Sequence, residues 1–309
     1  MVKSQLLTIL NANSEPVSGE KISEKLGISR VAIWKHIQKL QACGYEIESG
    51  PTGYRLKNAP DIPYSWEFSQ RESRIHYHDH VDSTMDTARQ MARKGCPDFT
   101  VVIAGTQSQG RGRMDRDWAS PQGGLYFTLV LRPDIPAVMS PRVNFATATV
   151  LAHTLRDLCA IDARVKWPND ILVQGQKISG MLSELEAAED QVAYITIGIG
   201  INMNNQPPSN LPTATSVRTL KGTAISRKKF LADFLDRLEA KLLAQDFSTV
   251  IEEWKSISAT LGQPVRIVSR HEVIEGKAVD VDPNGALIVE TADGLRKTIY
   301  YGDCFHNPV

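Results

Sequence analysis

The sequence predicts an α+β chain of three units: a small helical unit with a β-hairpin over residues 1–62, a mixed α/β region over 63–261, and an all-β segment over 262–309. Three observations carry this. The first forty residues hold short, capped amphipathic helices. Residues 70–260 mix apolar β-branched runs with helical stretches. From Leu261 onward, short strands are separated by Asp-Pro-Asn-Gly and Asp-Gly turns.

In the first unit, Leu6, Leu7 and Leu10 open an amphipathic helix, and Asn11 to Pro16 is a turn cluster. Ser18 caps a short second helix with Ile22 and Leu26, stopped by Gly27. Ser29 caps a third, with Ile33, Ile37 and Leu40 on one stripe. Two short helices about a Gly-containing turn follow the helix-turn-helix plan. Ser29, Arg30, Lys35, Gln38 and Lys39 lie off the apolar stripe, where they can reach phosphates and base edges. Tyr45 to Ser49, a Gly-Pro-Thr-Gly turn and Tyr54 to Leu56 form a hairpin wing. Residues 1–60 hold eight Lys/Arg against five Asp/Glu, a local +3 in a chain with 35 of each. The segment resembles the winged helix-turn-helix domains of bacterial repressors; a helical protein-interaction module is the alternative. Trp34 packs either under the wing or near DNA. Asn58 to Pro63, with two prolines, reads as a linker.

The whole chain is 42% hydrophobic and 23% charged with formal charge +0, an ordinary soluble composition that excludes a global field towards nucleic acid or membrane. No apolar run reaches the length of a membrane span and no signal-peptide core is present, so a cytoplasmic location is expected. Cys43, Cys96, Cys159 and Cys304 are scattered with no C-x-x-C pair, which points to free thiols rather than a disulfide framework or a zinc site.

In the middle region, Ser83 caps a helix through Ala92, with Asp86 in a box-like position and Gly95 as the stop. Thr100 to Ala104 and Leu125 to Leu131 are strands. Ser140-Pro141 starts a longer helix whose buried side carries Val143, Val150, Leu151 and Leu158. Strands over Arg164 to Trp167, Ile171 to Val173, Lys177 to Glu184 and Ala193 to Ile201 follow, with a tight hairpin at Gln174-Gly175. Lys228 to Leu243 is a helix. His76, His78 and His80 alternate as on a strand face, and no intrinsic metal is expected.

Several constellations carry chemistry. Gly110-Arg111-Gly112-Arg113-Met114-Asp115-Arg116-Asp117-Trp118 combines bare backbone with guanidinium forks, suited to closing over an anion, or, taken alone, to a solvated surface loop or an arginine-rich patch touching nucleic acid. It is neither a Walker loop nor Gly-x-Gly-x-x-Gly. Lys166-Trp167-Pro168-Asn169-Asp170 ends a strand in a turn that presents an amide and a carboxylate, to a ligand or only to local backbone. Lys177-Ile178-Ser179-Gly180 can aim an ammonium at an anion above a glycine, or place a lysine on an edge strand. Ile197-Gly198-Ile199-Gly200-Ile201-Asn202 bares one strand face, for a flat ring or for a packed helix. Asp82-Ser83-Thr84 offers hydroxyls to a polar head group or a plain N-cap.

In this order, and with Gln107, these pieces resemble the biotin–protein ligases over nearly the whole chain. The helix-turn-helix unit in front resembles the bifunctional form, ligase and biotin operon repressor. The resemblance implies a class II synthetase-like catalytic domain and a small SH3-like C-terminal β-barrel. It implies that ATP converts biotin to biotinyl-5'-AMP, and that biotin then passes to a lysine of a biotin carboxyl carrier protein. It implies that biotinyl-AMP acts as corepressor, favouring a homodimer on operator DNA. Ser83, Thr84, Met85 and Gln107 would hold the biotin ring, with Gly180, Gly198 and Gly200 as the pocket floor. Arg111, Gly112 and Arg113 would close over biotin and its adenylate. Lys177 would contact the carboxylate and the α-phosphate, making Lys177, Arg111 and Arg113 the catalytic cations. Trp118, Asn169, Asp170 and Asn202 would help position ATP and its Mg2+. Asp115 stands where the family often has Gly or Ser, and Met85 where some relatives have asparagine. A lipoate or octanoyl ligase of similar fold, and a biotin-sensing repressor with weakened catalysis, are the alternatives.

Overall fold

Two serines and a glycine shape the N-terminal helices. The structure, a computed structural model, describes residues 1–244, 247–270 and 272–306; residues 271 and 307–309 of the expected C-terminal segment lie outside them. Its contacts divide it into two units, Met1–His76 and Tyr77–Val309. In the first, α1 (Val2–Asn11), α2 (Gly19–Leu26) and α3 (Arg30–Ala42) precede the antiparallel wing of β1 (Glu46–Gly50) and β2 (Gly53–Asn58). The Ser18 hydroxyl accepts the Lys21 amide at 3.2 Å, and the Ser29 hydroxyl accepts the Ala32 amide at 3.2 Å. Gly27 ends α2 at φ 66°, the left-handed cap that glycine adopts without strain. Leu6, Leu10, Ile22, Ile33, Ile37 and Leu40 are fully buried together. Ser18→Ala is expected to lower the stability of this unit by about 1 kcal/mol, read as an earlier first transition in urea.

The expected linker differs from a free tether. Ala59, Tyr64 and Trp66 pack on the helical core. The Trp66 indole N–H donates to the Tyr45 hydroxyl at 3.0 Å and stacks on Tyr64 at 4.5 Å. Pro60 and Pro63 disfavour helix in the linker itself, and the two aromatic residues follow it, Trp66 within a single 3-10 turn over Ser65–Glu67. Trp34 is not under the wing: 52% of its surface is exposed.

The second unit is built on a seven-stranded sheet ordered β3 (Ile75–Val81), β4 (Thr100–Gln107), β5 (Leu125–Leu131), β9 (Gln191–Ile201), β8 (Gln176–Ala188), β7 (Asp170–Val173) and β6 (Ala163–Lys166). The pairings from β4 through β6 are antiparallel, which makes this region α+β rather than α/β. The β7–β8 turn has Gln174 at φ 50° and Gly175 at φ 78°, the two left-handed residues of a tight hairpin. One face is covered by α5 (Ser140–Cys159) with α7 (Arg227–Leu243) and α8 (Val250–Ser256); α4 (Thr84–Arg93) packs on β4, β5 and β9. The expected buried stripe of α5 is corrected: Val150 is half-buried and Leu158 is 42% exposed. The stripe runs through Thr147, Leu151, Leu155 and Cys159, a four-residue step close to the helical period.

Short α6 (Val217–Lys221) and α8 were not foreseen. The C-terminal strands form an antiparallel sheet ordered β13 (Arg296–Ile299), β12 (Leu287–Glu290), β11 (Val273–Val281), β10 (Pro264–Val268) and β14 (Asp303–His306). Trp167, 1% exposed, ties this sheet to the region of the seven-stranded sheet: its indole N–H donates to the Gly285 carbonyl and its amide to the Thr260 hydroxyl, both at 3.0 Å.

Candidate active site

The alternation along β9 creates a floor. Ile197, Ile199 and Ile201 are buried, and Phe127, opposite Ile199, meets Phe234 of α7 edge-on at 5.8 Å. The other face carries Gly198 and Gly200, and Gly180 of β8 stands opposite Gly200. The space above these glycines is used. A Cβ at Gly198 would come within 2.6 Å of Met85 Sδ; at Gly200 it would come within 2.3 Å of the Trp118 indole, and at Gly180 within 2.9 Å of it. The flat ring lying on the bare strand is the chain's own Trp118.

Around this floor is a cavity of ≈ 320 Å³ lined by Thr84, Met85, Gln107, Arg111, Gly112, Arg113, Trp118, Asn169, Asp170, Lys177, Gly180, Gly198, Gly200 and Asn202. Of the residues singled out from the sequence for small ligands, Ser83 is absent from the lining. It occupies the N-cap position of α4, but its hydroxyl caps no amide, which corrects that expectation; its Oγ is buried without a partner. Asp86, expected in a capping box, pairs instead with Arg89 and Arg111.

One end of the cavity is a fixed polar wall. Gln107 Oε1 accepts from the Thr84 amide at 2.8 Å and the Thr84 hydroxyl at 3.1 Å; the Gln107 amide nitrogen donates to Ser120 Oγ at 2.8 Å. Buried Thr128 donates to Thr84 Oγ1 at 2.9 Å. A wall this fully hydrogen-bonded holds its donors and acceptors in place before any ligand arrives.

Residues 110–118 form a narrow hairpin over the cavity. The Trp118 amide donates to the Gly110 carbonyl and the Gly112 amide to Arg116, both at 2.7 Å. At its tip Met114 and Asp115 stand at φ 53° and φ 57°, the left-handed pair of a tight turn. Asp115 is exposed and not among the cavity-lining residues, so it stands apart from the arginines' anion face. Arg111 pairs with Asp86 at 3.3 Å and Glu184 at 3.0 Å. Among the described residues Arg113 donates to neutral acceptors alone, Asn169 Oδ1 at 3.4 Å and the Gly302 carbonyl at 3.2 Å. Burial pulls its guanidinium below the ordinary value, with Asp303 and Asp170 opposing that shift. Lys177 Nζ lies 2.7 Å from Asp170 Oδ1 and 5.3 Å from the centre of the Trp118 ring. Asn202 is buried and accepts from Asn205 at 2.9 Å.

Some lining residues escaped the sequence reading. Pro208, Leu211, Thr213 and Ala214 border the cavity, and residues 213–215 hydrogen-bond along Lys177. Asp303, Cys304 and Phe305 come from β14, and Asp303 pairs with Arg116 at 2.5 Å. Only the Pro-Pro-Ser-Asn turn signal at 207–210 marked the first group; nothing local marked the second.

Burial, reinforced by Lys166, lowers the His306 imidazole from its ordinary 6.5 to about 4. The folded state therefore binds fewer protons here than the unfolded chain. The stability this group contributes is full above about pH 6.5 and is lost as pH falls towards about 4. We expect unfolding midpoints to drop across that window and His306→Gln to flatten the drop.

The pattern of the Biotin/lipoate A/B protein ligase family matches residues 77–202, that of the Biotin protein ligase C terminal domain residues 260–307, and an HTH domain residues 2–55. The Bifunctional ligase/repressor BirA of Bacillus subtilis is 37% identical over 307 residues, 94% of each chain. The chain belongs to the biotin–protein ligase family. The Bifunctional ligase/repressor BirA of Escherichia coli, another relative of this ligase, is 31% identical over 94% of this chain and 93% of its own. Among solved structures, the biotin protein ligase from Aquifex aeolicus in complex with biotin and ATP superposes with a TM-score of 0.65 at 27% identity, covering 76% of this chain and 99% of that one. In the described residues no helix is long and apolar enough to cross a membrane.

Proposed function

We propose that this chain is an ATP-dependent biotin–protein ligase that also represses transcription. The observation that carries the catalytic half is Lys177 and Arg113 facing one cavity whose floor is glycine and whose far wall is the Thr84–Gln107 network. A carboxylate oxygen of biotin attacks the α-phosphorus of ATP; the bond to the β-phosphate oxygen breaks and pyrophosphate leaves. The ε-amine of an acceptor lysine on a carboxyl carrier protein then attacks the acyl carbon; the bond to AMP breaks, AMP leaves and the amine gives up its proton. Both steps gather negative charge that fixed cations stabilise. Lys177 and Arg113 supply that charge, and Arg111 adds to the field from its carboxylate cluster. No nucleophile from the enzyme is needed.

Thr84 and Gln107 hold the ureido ring; the Ser83 hydroxyl, buried without a partner and outside the cavity lining, joins them only by turning towards the ligand. Met85 and the glycines shape the floor, and Gly112 brings the lid backbone close. Trp118 carries a buried, unpartnered indole N–H for the adenylate. Asp170, Asn169 and Asn202 offer hard side-chain oxygens at the cavity wall and would hold a Mg2+ accompanying the nucleotide, which would neutralise phosphate charge.

The repressor half rests on the capped α2–α3 pair, the wing, and exposed Arg30, Lys35, Gln38 and Lys39 on one face of α3, with Ser29 at its start. A homodimer with biotinyl-AMP bound would present two such units to operator half-sites. The unpaired outer edge of β8 beyond Met181, which only β9 pairs among the described strands, supports self-association. The deciding experiment gives the protein ATP, biotin and an acceptor domain, with lipoate in a parallel reaction, and runs a biotin-dependent DNA shift on the same preparation. Biotin on the acceptor lysine and a biotin-dependent shift are expected; no adenylate and no transfer, or transfer of lipoate alone, overturns the ligase reading.

A further inference from the structure

The exposed face of α3 is not uniformly polar. Val31 is 63% exposed and Trp34 52% exposed, three residues apart on one face of the helix. Arg30, Lys35, Gln38 and Lys39 surround them, all exposed, and the three cations form no ion pair among the described residues. An exposed indole beside an exposed isopropyl group is a costly surface in water. Unpaired positive charge on every side selects a polyanion as its cover and argues against an apolar protein partner. The distance from Val31 to Gln38 along the helix is about 10 Å, close to three base steps. Inside a major groove the apolar groups at base edges are thymine C5-methyls.

We propose that Val31 and Trp34 read thymine methyl groups in the major groove of the operator, while Arg30, Lys35 and Lys39 hold the flanking phosphates. The half-site then carries thymine at the steps facing the middle of α3. This rests on the DNA-binding reading above and adds which bases that site selects. Gln38, one turn beyond Trp34, is placed to hydrogen-bond a neighbouring base edge, adenine being its geometric match.

The test uses the full chain with biotin and ATP. A pool of random duplexes is enriched on it, and each thymine of the enriched duplex is then replaced singly by deoxyuridine, which removes only the methyl group. At the contacted positions, loss of the methyl is expected to weaken wild-type binding about fourfold, the value of one buried carbon. Trp34→Ala is expected to bind more weakly, to ignore the replacement at one of the contacted thymines while staying sensitive at the one Val31 meets, and to keep its salt dependence. Lys35→Ala should lower the salt dependence and stay methyl-sensitive. Biotin transfer should be unchanged in Trp34→Ala, since the indole is exposed and outside the catalytic cavity. Enrichment without methyl sensitivity, or equal sensitivity in wild type and Trp34→Ala, overturns this inference alone. No enrichment of any duplex overturns the DNA-binding reading, and this inference with it.

Discussion

Lys177→Ala is expected to slow biotinyl-adenylate formation by about two to three orders of magnitude, the usual consequence of removing one preorganised charge from a developing anion. The ammonium is placed by β8 and by backbone hydrogen bonds to residues 213 and 215 on both sides of its own peptide. It sits 2.7 Å from Asp170, which is only 17% exposed at its side chain. Removing the lysine therefore also leaves a poorly solvated carboxylate facing the incoming phosphates, so the loss exceeds that of a simple surface cation. Pyrophosphate release with biotin and ATP reads the first step. Transfer from synthetic biotinyl-AMP to an acceptor domain reads the second, and should suffer less. Lys177→Arg should recover part of the rate, because charge returns in a different shape. An alanine variant with an undiminished adenylation rate would remove Lys177 from the catalytic machinery.

The second large effect belongs to the floor. In Gly200→Ala the new methyl would meet the Trp118 indole at 2.3 Å, well inside van der Waals contact. The nearest atoms all belong to Trp118, which stands on the lid hairpin and not in the core, so the lid moves and the sheet stays. We expect thermal stability to change by less than ~1 kcal/mol, and biotin affinity to fall at least about tenfold, or ~1.4 kcal/mol. Trp118 fluorescence in the free protein should report the displaced ring. Unaltered affinity together with an unaltered emission spectrum would mean that the indole does not rest on this strand in solution.

How much of this was legible beforehand depended on range. Ser18 and Ser29 accept from amides three residues away and Gly27 donates to a carbonyl four residues away, so their roles are readable directly. The Ile-Gly-Ile-Gly-Ile run of β9 was readable too, because period two alone separates a buried face from a bare one. What lay on the bare face was open between a ring and a helix; the structure places both there, Trp118 on Gly200 and Met85 of α4 on Gly198. Ser83 was misread as a cap, because a serine before a helix looks the same whether its hydroxyl turns to an amide or into the interior. Leu158 was misassigned because three- and four-residue steps diverge along a twenty-residue helix. The β14 contribution was invisible, since Asp303 meets Arg116 across 187 positions of sequence and no spacing rule spans that distance. For Trp34 the helical stripe alone does not distinguish the underside of the wing from an open face, because only packing separates the two.

The pairing of the lid with β14 also has a consequence for biosynthesis. Chains are made from the amino end, so α1 to β2 can fold while most of the ligase is still unsynthesised. The sheet, the glycine floor and the polar wall are complete once β9 has emerged. The hairpin over them can already meet Asp86, Asn169, Glu184 and Gly200, but its contacts with Gly302 and Asp303 form only when those residues leave the ribosome, roughly a hundred residues later, at about 5–20 residues per second. A nascent chain thus passes through several seconds with the floor and polar wall in place and the cover held on the sheet side alone, so a translational pause placed before β14 would lengthen the interval before its second fastening is made.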